Sequence, residues 1–450
     1  MALGTIEKSV LTDIANAIRH QAGHARGLLP ADMAEAVAAL DGHLEGEPAQ
    51  RAAEAGSGVL DDTVFADLAS AIRAQNGLTK LYTPPEMASA ILSLTWILGP
   101  TLLAILTDTG TLEFAFRDRV ESAYGSVSLW WEVDAAGYAK AAERPWDEAI
   151  GLVERCVIDA SVGSAGVTSA SWWLHGCSNL TQVEGLEALD GVTAMDGMFT
   201  NCGALESVFS TRELSPASAK QVFYGCPRLV GAKGYVPGSS DGPASLSFGD
   251  AGALTDPGAD TRAWFTCRLY ADGELVLGDA SGTGDSTLEG RMCAQARYTS
   301  GTAAPWAKRA SSVKRVRIAP SMGELPYVNM NYWFYGCTAL AALEGAAMLP
   351  AVREMRHTFN RCTSLTSLDL RGVSPLEITS VFSTFSSCSS LETITVDATW
   401  QLPSGVADVG CFTGCKSLVG GAGTVWSSSK TSGLYMRIDR EDAPGYLTAG

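Results

Sequence analysis

Hydrophobic and polar positions along this chain follow two different periods. Between residues 11 and 94 the apolar residues are spaced as on a helix. Leu11, Ile14, Ala15 and Ile18 fall at i, i+3, i+4 and i+7 and form one stripe. The stretch 11–40 recurs at 65–94 at a constant offset of 54, which pairs Asp13 with Asp67, Arg19 with Arg73, Gly23 with Gly77, Pro30 with Pro84 and Leu40 with Leu94. Each copy reads as a helix, a glycine stop, a short loop and a second helix. Gly23 and Gly77 stand where a left-handed C-cap is expected, and Thr83-Pro84-Pro85-Glu86 has the form of a capping box. The pattern predicts a helical hairpin over 1–45 and another over 61–97. The Ala/Glu/Gly-rich stretch 46–60 between them reads as a solvated linker.

From residue 98 the period lengthens. The pattern [Phe/Leu]-x-x-Cys-x-x-Leu occurs seven times, at Cys177, Cys202, Cys226, Cys337, Cys362, Cys388 and Cys415. The cysteines are 25 and 24 residues apart in the first run and 25, 26 and 27 apart in the second. A period in the twenties means a leucine-rich-repeat-like solenoid, in which each turn buries its apolar edge against the next. Phe199, Cys202 and Leu205, then Phe359, Cys362 and Leu365, then Phe385, Cys388 and Leu391 are read as repeat core. A larger duplication at an offset of 160 pairs Pro145-Trp146 with Pro305-Trp306, Trp173 with Trp333 and Cys177 with Cys337. Each copy opens with a hairpin pattern, one around Asp108-Thr109-Gly110 and one around Asp272-Gly273. The expected fold class is therefore α+β: N-terminal α-helical hairpins, then two leucine-rich-repeat-like β-solenoid modules over 98–265 and 266–450, each opened by a β-hairpin.

The patterned cysteines sit once per turn with apolar neighbours three residues to either side. That environment suits a column of buried thiols better than disulfides or a metal, and an odd total of 11 Cys argues against a full disulfide framework. No metal or other cofactor is expected. Aromatic residues recur beside the motif, as Trp172-Trp173 and Tyr332-Trp333. Trp173 and Trp333 read as core, so their neighbours Trp172 and Tyr332 face the other way and become the candidate ligand contacts. The competing reading is that both rings pack against an adjacent turn. His175 and His357 read as solenoid-surface residues, with no serine or aspartate pattern around them.

Composition narrows the function classes. A net charge of −17 and 18% charged residues leave no broad basic surface for phosphates, so nucleic acid is not an expected partner. The 47 glycines and 18 prolines mark many turns. The N-terminal stretch has no apolar signal core, and the longest apolar run, Trp96 to Leu106, is broken by Gly99 and Pro100. The expectation is a chain made in a cytoplasm with no membrane insertion. No paired carboxylates stand out from the repeats, which places a glycan-degrading enzyme last among the readings.

Two resemblances follow from these patterns. MFTNCGALESV (198–208) and TFNRCTSLTSLDL (358–370), with LVGGAGTVW (418–426) and YMRIDREDAPGYLT (435–448) as a closing segment, resemble the BspA-like leucine-rich-repeat family of bacterial and phage surface proteins. The duplicated 11–40 and 65–94 pattern resembles short helical repeats in tail-associated proteins of phages and prophages of Gram-positive hosts. Together the resemblances imply a non-enzymatic, tail-associated recognition protein located on the virion. Its solenoid would face a host-cell surface protein or glycan. Its N-terminal hairpins would bind other virion proteins or trimerise the chain. A bacterial cell-surface adhesin is the alternative.

Overall fold

The structure is a computed structural model that describes residues 101–117, 120–238, 241–282 and 284–450. Packing divides the described chain into two units, one holding residues 101–202 and 214–219 and the other residues 203–213 and 220–450.

In the first unit, β1 (Thr101–Thr107) and β2 (Thr111–Arg117) form an antiparallel hairpin, with Leu106 opposite Leu112. β3 (Val127–Glu132) pairs antiparallel on the other side of β1. From β2 the sheet turns parallel, through β4 (Arg155–Ile158) to β5 (Gln182–Glu184).

The second unit begins with β6 (Ser207–Phe209), which pairs parallel with β7 (Leu254–Thr255). It then repeats the first arrangement. β8 (Trp264–Tyr270) and β9 (Glu274–Leu277) form the hairpin, and β10 (Ser286–Cys293) flanks β8. β11 (Arg315–Ile318) adds in parallel to β9, and β13 (Ala342–Glu344) adds in parallel to β11. A second strip of the same turns pairs β12 (Val328–Asn329) with β14 (Val352–Glu354), and single bridges carry it on from Glu354 to Ser380 to Ala407. β15 (Ser367–Asp369), β16 (Thr393–Val396) and β17 (Leu447–Ala449) complete the first strip in parallel.

The α+β expectation is overturned. Among the described residues there are only strands, loops and 3-10 segments of three to six residues, with no long helix, and the sheets stay open. The physical reason lies in the turns. A left-handed residue twice in every repeat stops right-handed helix from propagating, so Phe and Cys at i and i+3 close a tight turn and nothing longer. The helical hairpins read at 1–45 and 61–97, and the linker at 46–60, lie outside the described residues.

The seven motif turns share one backbone device. The residue five before each motif Cys is left-handed in every case: Trp172, Gly197, Gln221, Tyr332, His357, Ser383 and Gly410. So is the residue just before it: Gly176, Asn201, Gly225, Gly336, Arg361, Ser387 and Gly414. Between these points the amides alternate. His357, Phe359 and Arg361 donate to the carbonyls of Phe382, Thr384 and Ser386 on the next turn, at 2.8–2.9 Å. Thr358, Asn360 and Cys362 donate back within their own turn, at 3.0–3.3 Å. Alternation satisfies every donor of a buried segment without a long strand or helix.

Side chains fill what the backbone leaves. Phe359 stacks on Phe385 with centroids 5.5 Å apart, Phe385 stacks on Phe412 at 5.6 Å, and Tyr446 closes the row edge-on to Phe412 at 5.0 Å. The motif thiols are donors as well as filler. Cys362 Sγ donates to the carbonyl of Phe334 at 3.2 Å, Cys388 to that of Phe359 at 3.0 Å and Cys415 to that of Phe385 at 3.0 Å. Near the last strand the buried Asp439 carboxylate gathers the amides of Ala422, Thr424 and Gly445. It thereby ties the 418–426 loop to the chain end.

Candidate ligand-contact surface

The repeat that orders the core also orders the surface. Each residue five before a motif Cys has a left-handed backbone, and of the seven only Gly197 is buried. In the second unit Tyr332 and His357 occupy two successive such places, with φ of 60° and 53°. Their rings stack at 4.7 Å and 24°. Tyr335 leans on Tyr332 at 5.6 Å, and Phe382 meets the other side of His357 edge-on at 5.3 Å. The Arg361 guanidinium lies 5.8 Å from the Tyr335 ring and that of Arg356 lies 5.4 Å from the Phe382 ring. All four rings are half-buried, while Arg356 and Arg361 are exposed. The result is a ladder of π faces edged by two guanidinium groups.

The electrostatics keep the ladder neutral along its middle. The Asn360 amide lies 2.9 Å from His357 Nδ1, which makes Nδ1 the acceptor and leaves the ring proton on Nε2. Burial, then the nearby Arg356 charge, holds the His357 imidazole below its ordinary pKa of 6.5. Burial likewise raises the Tyr332 phenol above its ordinary 10.0. Rings and an amide surround His357, so it is set up to stack rather than to activate a nucleophile. Among the described residues no group of three or more His, Cys, Asp or Glu is placed to hold a metal ion. Half-exposed aromatic rings beside arginine are the chemistry of recognition surfaces.

Trp172, the other candidate contact, stands at the equivalent place in the first unit, with φ of 67°. It meets His175 edge-on at 5.5 Å and lies over Gly197, the next left-handed residue along that unit. A Cβ on Gly197 would come within 2.3 Å of the indole, so the missing side chain is the slot that Trp172 fills. Trp172 therefore packs against an adjacent turn, whereas Tyr332 begins a ladder; the two rings belong to different units. Phe199, Cys202, Leu205, Phe359, Cys362, Leu365, Phe385, Cys388 and Leu391 are all fully buried. All 11 cysteines are free and buried. Burial pushes the Cys337 and Cys388 thiols up to about 12, the reverse of a reactive thiolate.

No protein-family model matches the chain, and no curated protein matches it. Two solved structures are similar to it. One is a leucine-rich repeat protein from Bacteroides ovatus ATCC 8483, 15% identical, with 72% of this chain and 93% of that chain covered and a TM-score of 0.19. The other is a leucine-rich repeat protein from Eubacterium ventriosum ATCC 27560, 14% identical, with 71% of this chain and 94% of that chain covered and a TM-score of 0.20. The description of this chain as a parallel-strand solenoid rests on its own register and turn geometry.

Sequence reasoning named one end of the ladder and missed Tyr335, His357 and Phe382. The signal was present in the spacing. Tyr332, His357 and Phe382 are 25 residues apart, which is the repeat period of that region. Residues one period apart on a solenoid are neighbours in space.

Proposed function

We propose that this chain is a non-enzymatic recognition protein whose solenoid presents the Tyr332–Tyr335–His357–Phe382 ladder to a ligand on a host-cell surface. One observation carries the reading. Tyr332 and His357 occupy backbone positions that favour glycine, where a side chain costs about 1–2 kcal/mol, and both bring rings to the surface there. The partner is a surface protein or glycan, and the contact is by stacking and by Arg356 and Arg361. The resemblance of segments 11–40 and 65–94 to phage and prophage repeats supports a place on a tail particle. Display on a bacterial surface is the alternative, with the same contact surface in another location.

The test is binding of the fluorescently labelled full chain to a panel of bacterial cells, read by flow cytometry. Tyr332→Ala and His357→Ala should each lower binding by about tenfold, as loss of an aromatic anchor does at an interface. Thermal melting of each variant separates lost contact from lost fold. Full binding by a folded double variant, or release of sugar or peptide fragments from the cells, would overturn the proposal.

A further inference from the structure

The second unit carries a groove that does not involve the ladder rings. It has a volume of about 470 Å³, within the roughly 300–1,000 Å³ range of small-ligand sites. Four successive turns build it, with Arg297 beside them. Tyr327 lies beneath the Arg353 guanidinium, 3.6 Å from ring centroid to Cζ, and Arg353 Nε donates to Glu377 Oε2 at 3.0 Å. Beside them Arg297 pairs with Glu354 at 3.4 Å, and Glu354 Oε2 accepts from Asn331 Nδ2 at 2.6 Å. The buried Asn329 contributes to the wall. Its Nδ2 donates to the Gln295 carbonyl at 2.7 Å, and its Oδ1 has no partner. The exposed Leu376 and the segment 403–406 add an apolar rim.

We propose that this groove binds a neutral saccharide. Each arginine is matched by a glutamate, so neither an anionic nor a cationic ligand gains a net attraction. The pairs nevertheless remain open to solvent, with the Arg353 and Glu377 side chains 45% and 51% exposed. A guanidinium offers five N–H donors in a plane and a carboxylate offers acceptors beside it. A sugar hydroxyl both donates and accepts, so neighbouring hydroxyls match such a pair. Tyr327 holds the Arg353 guanidinium flat from beneath, and Leu376, Pro403 and Val406 supply apolar surface for the C–H face of the sugar. A peptide fits less well. The backbone of this strip is already paired from β12 to β14 and on to Ser380 and Ala407, which leaves the incoming chain no strand to extend there.

The inference deepens the recognition reading by naming a ligand class, but it stands on different residues, so the two can fail separately. The experiment screens the labelled full chain on an array of neutral, N-acetylated and uronate-containing oligosaccharides beside a peptide array. Hits are measured by calorimetry. At least one neutral oligosaccharide should bind. Arg353→Met and Glu377→Gln should each weaken it by about tenfold, the scale of one charge-assisted hydrogen bond, while Lys416→Ala, at an exposed position outside both ladder and groove, should change it less than about twofold. The groove proposal is overturned if no neutral saccharide binds, if only peptides or uronates bind, or if both groove variants, still folded, keep full affinity. Cell binding that is lost in Tyr332→Ala yet kept in Arg353→Met, with no saccharide bound, removes the groove and leaves the ladder. Saccharide binding with no cell binding supports the groove and removes the ladder.

Discussion

Trp172 and Tyr332 are the same position in two copies of one repeat, yet they do opposite things. Both stand five residues before a motif Cys with a left-handed backbone, and each precedes a half-exposed ring at the third residue on, His175 or Tyr335. The difference is set one turn later. In the first unit the next left-handed residue is Gly197, and the indole of Trp172 lies down in the space its absent side chain leaves. In the second unit the next is His357, and Tyr332 stacks on it and stays at the surface. A further contact fixes the first copy. The buried Arg144 donates to the carbonyls of Trp172, Trp173 and His175 at 2.7, 3.1 and 2.9 Å. At the offset of 160 the second copy has Ala304 in that place. The lesson is that an exposed aromatic in a repeat is read from its neighbour one period away. A glycine there turns the ring into packing, and a second ring turns it into a surface.

The largest expected effect is shared by both copies. Burial raises Cys156 and Cys177 in the first unit and Cys337 and Cys388 in the second. These thiols stay neutral in the folded chain while unfolded thiols ionise near pH 9. Their contribution is therefore fully present below pH 9 and is lost as pH rises beyond it, with a slope of about 1.4 kcal/mol per pH unit for each buried thiol. Urea unfolding of reduced protein between pH 8 and 10.5, as chosen test points, should show this steep loss. A flat profile would mean that the thiols are reached by solvent.

Next in size is Arg144→Ala, expected to cost about 3–5 kcal/mol because three carbonyls and Asp147 lose a buried charged partner. The second copy already has alanine there, so a loss below 1 kcal/mol, as a working threshold, would show that Arg144 does not distinguish the copies. Gly197→Ala should cost about 2 kcal/mol, from the left-handed backbone and the collision with the indole together. The reciprocal change, His357→Gly, should fall within about 1 kcal/mol, because relieved strain offsets the lost stacking. Equal melting shifts for the two changes would erase the comparison.

The smallest effect is acid-linked. Burial lowers His175 and His357 below 6.5, with Arg144 and Arg356 adding to it. As pH falls through 6.5 the unfolded imidazoles take up protons first, so stability declines from there toward the folded-state values and is unaffected above. The His357→Gly variant should lose its share of that decline, measured by melting between pH 5 and 7 as chosen test points.

The sequence by itself determined the repeat. Seven [Phe/Leu]-x-x-Cys-x-x-Leu units, spaced 24–27 residues apart within each of two runs, admit one economical burial pattern, and the offset of 160 marked the recurrence of the same strand arrangement in two places. It also placed both hairpin turns at their Asp-Gly and Asp-Thr-Gly signals, because those residues encode local backbone geometry. The flanking strands β3 and β10 were less legible, since their pairing is with β1 and β8 and leaves no turn signal of its own. The helical periodicity of 11–94 was extended into an α+β class, but the strand-and-turn geometry from residue 101 onward does not follow it. Only the tertiary structure decided which aromatic rings stack at the surface and where a groove opens. Left-handed backbone at Tyr332, His357 and Arg361 has no glycine to announce it, because stacking between turns holds those residues there. The groove joins Tyr327, Arg353 and Glu377, which are 26 and 24 residues apart and meet only when successive turns lie side by side. Local sequence sets how one turn closes; which side chains meet across turns depends on the small differences in repeat length that only stacking resolves.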